Sequence, residues 1–231
     1  MKLMIVDTAL GLCTAGLFEV GAFEAGGAGV RRLGLRSEPM VKGHSERIAG
    51  FARDSAAEAG VAFADLDRIG VTVGPGSFTG LRVGLAFAQG LAAALDRPVV
   101  GVSALDALAA SAEETPAVAA LIDARRGQVY ARFWRDGEPE GPAEALALDV
   151  AAARIADMGP GAVLVGSGAV LFADIAHGMT RLALDGPAPE ALARLVAAAD
   201  PALAPARPLY LRAPDATPPT RLPGQSRVPR P

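Results

Sequence analysis

A short apolar run, Ile69-Gly-Val-Thr-Val73, breaks at Gly74-Pro75-Gly76, and a helical pattern starts directly behind it. The alternation of the run predicts a buried strand, and Gly-Pro-Gly suits the interior of neither a strand nor a helix. Ser77 or Thr79 can cap the new helix by accepting an orphan backbone N–H. Apolar positions then recur at Leu81, Leu85, Ala88, Leu91 or Ala92, and Leu95, which is helical spacing. Strand, glycine turn and long helix in succession is the most constrained arrangement in the chain.

Glycine inside a helix costs about 1 kcal/mol relative to alanine, and Gly80 and Gly84 both lie inside this one, with Gly90 further along. Gly80, Gly84, Ala88 and Ala92 are spaced four apart. They form one ridge of small side chains, along which a second helix can approach closely. Spacing alone allows two uses: packing against the chain's own sheet or helices, or docking another chain. The docking use predicts that Gly84→Leu abolishes pairing while the monomer keeps much of its fold.

With 231 residues the chain fits one large domain or two small ones. An apolar fraction of 51% and a mean hydropathy of +0.31 are enough for a full core. The net charge of −3 argues against a stand-alone nucleic-acid binder. The single cysteine, Cys13, excludes an internal disulfide and a multi-cysteine metal site, and its apolar surroundings predict an inert buried thiol. Asp7 interrupts the opening apolar run too early for a signal peptide. Arg82 and Gln89 interrupt the helix that comes nearest to the roughly 18 uncharged apolar residues of a membrane span. A cytoplasmic protein without membrane contact is expected.

Read in order, the patterns predict strands at 3–7, 13–19 and 30–36, with a loose glycine-rich stretch at 21–29. A helix opening at Ser45, with Ile48, Phe51, Ala52, Ser55 and Ala59 on its apolar face, precedes strand 69–73 and the ridge helix. Strand 98–102 and a helix capped by Ser103, with Asp106 three residues on, complete β-β-β-α-β-α-β-α. After a break at Glu113-Glu-Thr-Pro116 the order recurs: strands 117–123, 128–134 and 145–148, helix 149–158, strand 162–165, helix 169–176, strand 181–184 and helix 189–199. Two local matches support a repeat. Asp7 to Gly11 parallels Asp123 to Gly127, and Val71-Thr-Val-Gly-Pro-Gly76 parallels Val163-Leu-Val-Gly-Ser-Gly168. From Pro201 onward nine prolines fall in thirty-one residues, with five arginines against the single acid Asp215. Leu209, Tyr210 and Leu211 can dock on the body; beyond Arg212 too little apolar surface remains to order the chain. The expected domains are 1–112, 113–212 and a disordered basic tail, 213–231.

Two such halves, each with an Asp closing its first strand, resemble the actin-like ATPase and sugar-kinase fold. That resemblance implies an α/β protein with a mixed sheet in each half and a nucleotide cleft between them. Residues placed to touch phosphate or nucleotide weakly are Asp7, Thr8, Gly74, Gly76, Gly166 and Gly168. Phosphate loops of the fold carry Gly two after the Asp; Ala9 and Arg125 hold that place here, so the cleft reads as degenerate.

Within that fold the chain resembles the TsaB (YeaZ) family. The likeness rests on Ile5-Val-Asp-Thr8, His44-Ser-Glu-Arg-Ile48, the stretch from Gly74 to Leu91, Ile122-Asp-Ala-Arg-Arg-Gly-Gln-Val-Tyr130 and Pro208-Leu-Tyr-Leu-Arg212. It implies a non-catalytic subunit of the bacterial machinery that makes N6-threonylcarbamoyladenosine in tRNA. Such a subunit pairs with a larger catalytic paralogue, TsaD, and the ATPase TsaE joins the pair. Family heterodimers assemble through the first two helices of the N-terminal half. Here that implies an interface of His44, Glu46, Ile48, Phe51, Gly80, Gly84, Phe87 and Ala88. The implied partners are TsaD and TsaE, a second copy when TsaD is absent, and tRNA only through the complex. No cofactor of its own is implied, with ATP or ADP at the complex interface.

The paralogue's metal-binding His-x-x-x-His is broken here, since Ile48 stands four after His44 and His177 is remote; no metal is expected. His44 and Glu46 are left to cap the helix or bond across the interface. Ser77, Thr79 and Ser103 lack the Gly-x-Ser-x-Gly setting of a nucleophile, so no catalytic residue is assigned. Arg125 and Arg126 read as solvated turn charges, and Tyr130 and Trp134, on one strand face, as core. The rival readings are a stand-alone actin-like ATPase or small-molecule kinase, and a metallopeptidase-like protein.

Overall fold

The computed structural model describes residues 1–23, 27–112 and 115–212. Its first sheet comprises β1 (Lys2–Asp7), β2 (Leu12–Phe23), β3 (Gly27–Pro39), β4 (Arg68–Gly74) and β5 (Val99–Ser103), in the order β3-β2-β1-β4-β5. β1, β2 and β3 run antiparallel, and β4 and β5 extend the sheet in parallel from β1. Helices α1 (His44–Ala59), α2 (Phe78–Leu95) and α3 (Ala104–Ala109) complete this half. The second sheet holds β6 (Ala117–Arg125), β7 (Gln128–Arg135), β8 (Glu138–Pro139), β9 (Glu144–Ala147), β10 (Val163–Val165) and β11 (Thr180–Leu182), with α4 (Leu148–Met158) after β9 and α5 (Pro189–Ala198) last. Its order is β11-β10-β6-β7-β8, with β9 also on β7.

β1 shows why both faces of the first sheet must be covered. Leu3, Met4, Ile5 and Val6 are all fully buried. Alternate side chains of a strand point to opposite faces. Met4 and Val6 join Ile48, Phe51 and Leu85 on one face; Leu3 and Ile5 meet Leu192, Ala193 and Val196 of α5 on the other. A continuous apolar strand is what a sheet packed on both sides requires.

α5 therefore corrects the expected domain boundary. The stretch 113–212 is not one packing unit, because its last helix lies on the first sheet. Gly70 makes room for it: a Cβ there would sit 2.1 Å from Val196 Cγ2. The chain then returns along the same sheet, with the Gly101 N–H donating to Ala204 O and the Leu209 N–H to Val73 O.

Other expectations shift locally. The hairpin strands run longer than 13–19 and 30–36, and Gly21 pairs with Gly29, because main-chain pairing needs no side chain. α1 begins at His44 behind a left-handed Gly43, so neither Ser45 nor His44 caps it. Ser77 and Ser103 do cap their helices, accepting from the N–H groups of Gly80 and Asp106. The helix expected at 169–176 is a 3-10 turn over Ser167–Phe172. The tail from 213 lies outside the described residues. α2 is long and apolar enough to cross a membrane by length and composition, and its Leu81, Leu85, Ala88 and Ala92 stripe is buried within the fold.

Arg68 fastens α5 to this arrangement. Its Nη1 donates to the carbonyls of Val196, Ala197 and Ala199, at 2.7, 3.1 and 2.8 Å. These are carbonyls at the end of α5, which have no intrahelical partner of their own. Hydrogen bonds to a charged group contribute about 1.5–3 kcal/mol. Arg68→Ala is expected to lower the melting temperature by roughly 4–8 °C, taking about 2 kcal/mol and the usual conversion for a chain of this size. A melt unchanged within error would show that α5 is held by apolar packing alone.

Candidate docking groove and interlobe cleft

The small-residue ridge faces inward. Gly80, Gly84, Ala88 and Ala92 are all buried. A Cβ on Gly80 would lie 2.1 Å from the Thr8 carbonyl, and one on Gly84 would lie 2.4 Å from Thr8 Oγ1. The Thr8 hydroxyl donates to Gly80 O at 2.7 Å, tying the end of β1 to the first turns of α2. The docking role expected for Gly80, Gly84 and Ala88 is thereby corrected: the foreign backbone is the protein's own first strand. His44, Ile48 and Phe51 are buried as well, whereas Glu46 is exposed and Phe87 half-buried.

The open face lies a fraction of a turn further round the same helix. A groove of about 510 Å³ runs between α1 and α2. Ser45, Ile48 and Ala49 line one side; Phe78, Thr79, Arg82, Val83, Ala86 and Phe87 line the other. Ile48 and Phe87 are the expected interface residues that reach it. The signal missed in the sequence is the row Thr79, Val83, Ala86 and Gly90. A Cβ on Gly90 would meet nothing within 4 Å. At the groove's end Phe78 is 51% exposed, with the Arg82 guanidinium 3.8 Å above its ring and Tyr210 5.7 Å away.

The glycines expected to cradle phosphate are occupied by the chain itself. A Cβ at Gly76 would lie 2.2 Å from Ala9 O, at Gly166 2.4 Å from Leu121 O, and at Gly168 2.9 Å from Val129 Cγ2. Gly74 and Gly166 also hold φ of 102° and 105°, a region open mainly to glycine. A Cβ at Gly74 would lie 2.9 Å from Leu209 O. Asp7 and Thr8 are 2% and 1% exposed, so these groups present no open cradle to the cleft.

Asp7 holds its turn. Its Oδ1 accepts from the Ala9 N–H at 3.0 Å and from the Thr72 hydroxyl at 2.5 Å. Asp123 does the same in the second sheet, its Oδ1 accepting from the Arg125 N–H at 2.8 Å. Both are side-chain turns that close on the backbone two residues ahead. Asp7 Oδ2 and His44 Nε2 are buried without a hydrogen-bond partner. Burial pushes the Asp7 carboxyl above the ordinary 3.8, against the Thr72 and Ala9 hydrogen bonds and the nearby His44. Cys13 is fully buried, and burial with the Asp7 and Glu38 charges pushes its thiol up to about 11, in keeping with an inert thiol.

The β6–β7 turn is less relaxed. Arg125 and Arg126 hold φ of 61° and 54°, followed by Gly127 at 71°. The left-handed conformation costs an L-residue roughly 1–2 kcal/mol. The Arg125 side chain is 86% exposed. Tyr130 and Trp134 are half-buried beneath Arg212 and Arg132 and pack at the margin of the core.

Two measurements follow from this packing. Gly84→Leu should destabilise the chain itself, by about 1–3 kcal/mol as overpacking does, read as a lower melting temperature without any partner; an unchanged melt would mean that Thr8 yields freely. Asp7→Asn keeps an acceptor for Ala9 and Thr72 and removes the buried charge. A raised carboxyl pKa means that the ionised form opposes folding, a cost that sets in above about pH 3.8 and is complete above the folded pKa. Asp7→Asn should therefore gain stability at pH 7 and none below pH 3.8. A pH-independent difference in denaturant midpoint would contradict it.

The likenesses to known proteins converge on one family. The family described as TsaD, tRNA N6-adenosine threonylcarbamoyltransferase, matches residues 34–161. An uncharacterized protein of Mycobacterium tuberculosis is 37% identical over 223 residues, 93% of each chain. The Escherichia coli protein named tRNA threonylcarbamoyladenosine biosynthesis protein TsaB is 34% identical over 140 residues, 59% of this chain and 56% of its own. The structure of YeaZ from Pseudomonas aeruginosa superposes with a TM-score of 0.69 at 29% identity, covering 91% of this chain and 99% of that one. The sequence likeness and the shared fold agree: the chain belongs to the TsaB/YeaZ family, whose named TsaB members are tRNA threonylcarbamoyladenosine biosynthesis proteins.

Proposed function

We propose that this chain serves tRNA threonylcarbamoyladenosine biosynthesis as a non-catalytic subunit that docks TsaD in the groove between α1 and α2. TsaE joins the resulting pair. The observation that carries the reading is the groove itself, with apolar walls from Ile48, Val83 and Phe87 and small residues, Ala49 and Ala86, along its rims. Small residues let a partner helix come close, and Gly90 continues that open row. A stable pairing buries on the order of 1,600 Å² in total, so the groove is the centre of a larger patch over both helices. A second copy of the chain occupies the same groove when TsaD is absent. The glycine turns packed on their own backbone favour a binding role over nucleotide turnover, and ATP or ADP is assigned to the complex interface. The two sheets are read as duplicated actin-like halves, the second one reduced.

Ala86 is exposed and lines the groove. Ala86→Arg is expected to abolish co-purification with co-expressed TsaD while leaving the stability of the chain within about 0.5 kcal/mol of the parent. Retained pairing sinks the groove as the interface. ATP turnover by the purified chain, lost in Asp7→Ala, would instead make it an enzyme.

A further inference from the structure

At the end of the groove one side chain does not match the rest of the lining. Arg82 carries the only charge among the residues that line it. Its guanidinium lies 3.8 Å from the Phe78 ring centroid, and its Nε donates to the Tyr210 hydroxyl at 3.3 Å. Tyr210 is itself held: its ring lies 5.7 Å from that of Phe78, and the N–H of its neighbour Leu209 donates to Val73 O at 2.7 Å. One face and one N–H of the guanidinium are therefore taken by uncharged groups. Among the described residues no carboxylate pairs with Arg82, and neither of its terminal amino groups meets a protein acceptor.

In the free chain Arg82 is exposed, so solvent reaches those amino groups. A helix laid in the groove removes that solvent. A covered cation with no opposite charge is costly, and an interface that leaves one unpaired loses affinity. A guanidinium stacked on one face and fixed at Nε presents its remaining edge to a carboxylate, which takes two parallel N–H bonds.

We infer that the subunit docked between α1 and α2 brings an aspartate or glutamate to the Nη edge of Arg82, and that Tyr210 is the positioning residue that holds that edge. This acid presupposes the docking proposed above and adds the charge that the partner must carry. Its place on the partner helix follows from spacing. Arg82, Ala86 and Gly90 are all exposed and four residues apart, so they form one row. Ala86 and Gly90 allow the closest approach, and Arg82 lies about 6 Å along the helix from Ala86. The partner's acid is thus expected about one helical turn from the small residue that crosses Ala86.

The affinity of purified TsaD for the full chain, measured by isothermal titration calorimetry, tests the pair. Arg82→Met keeps an apolar stem and removes the charge. With a carboxylate opposite, it strands that acid in the interface and should weaken binding about thirtyfold or more. With none opposite, it only removes a cation that was costly to cover, so binding unchanged or tighter overturns the pair. Arg82→Lys keeps the charge but loses the planar edge, and should fall between the parent and Arg82→Met. Tyr210→Phe should weaken binding in the parent and change nothing in the Arg82→Met background; equal losses in both would leave Tyr210 no positioning role. Arg135→Met, on β7 in the second sheet where Arg135 pairs with Glu140, should keep the parent affinity. Arg82→Glu should abolish pairing, and exchanging one acid of the TsaD docking helix for arginine should restore it. If none of those acids does, the pair falls. Pairing that survives Ala86→Arg removes the groove and this pair with it. Pairing lost in Ala86→Arg but kept at parent affinity in Arg82→Met removes the carboxylate alone.

Discussion

The contact on which the rest is built is that between Thr8 and the two glycines of α2. With hydrogen in place of a side chain at Gly80 and Gly84, the helix settles onto the end of β1, and the Thr8 hydroxyl closes the gap by donating to Gly80 O. This fixes the rotation of α2 about its axis. Once the row of four small residues is turned inward, the positions beside it, Thr79, Val83 and Ala86, must face the groove. The open groove is thus a consequence of an internal packing choice.

A second constraint is how the polypeptide uses its polar turns. Asp7 and Asp123 occupy matching places at the ends of β1 and β6, and each folds its carboxylate onto the N–H two residues ahead. In the first sheet that carboxylate is sealed from water, with one oxygen unpartnered. In the second it is half-exposed beside arginines. One local device therefore sits in two settings, the first buried at a desolvation cost and the second part-exposed and paired with Arg125. The glycine turns follow the same economy, each letting one stretch of backbone approach another.

The two halves are joined by a returning C-terminus. α5 covers the far face of the first sheet, and Arg68 gathers the carbonyls at its end. The chain then runs past Val73 to Tyr210 and Arg212, which contact the groove's end and the β6–β7 turn in turn. Three residues thus span from the groove's end to the β6–β7 turn.

Sequence alone determined most of the local structure. The alternation of 69–73, the break at Gly74-Pro75-Gly76, the caps at Ser77 and Ser103 and the Asp-turn pair were all legible, because each depends on neighbours a few residues apart. The strands of both sheets, apart from the two-residue β8, were legible for the same reason. Only the tertiary structure decided which way the glycine row faces, since a period of four is identical for a helix lying on a sheet and one lying on a partner. It also decided that α5 belongs over the first sheet, because amphipathic spacing marks an apolar face without naming what covers it. The left-handed arginines of the β6–β7 turn were hidden likewise, since the register of Arg125 opposite Gln128 sets their backbone and no side-chain pattern records it.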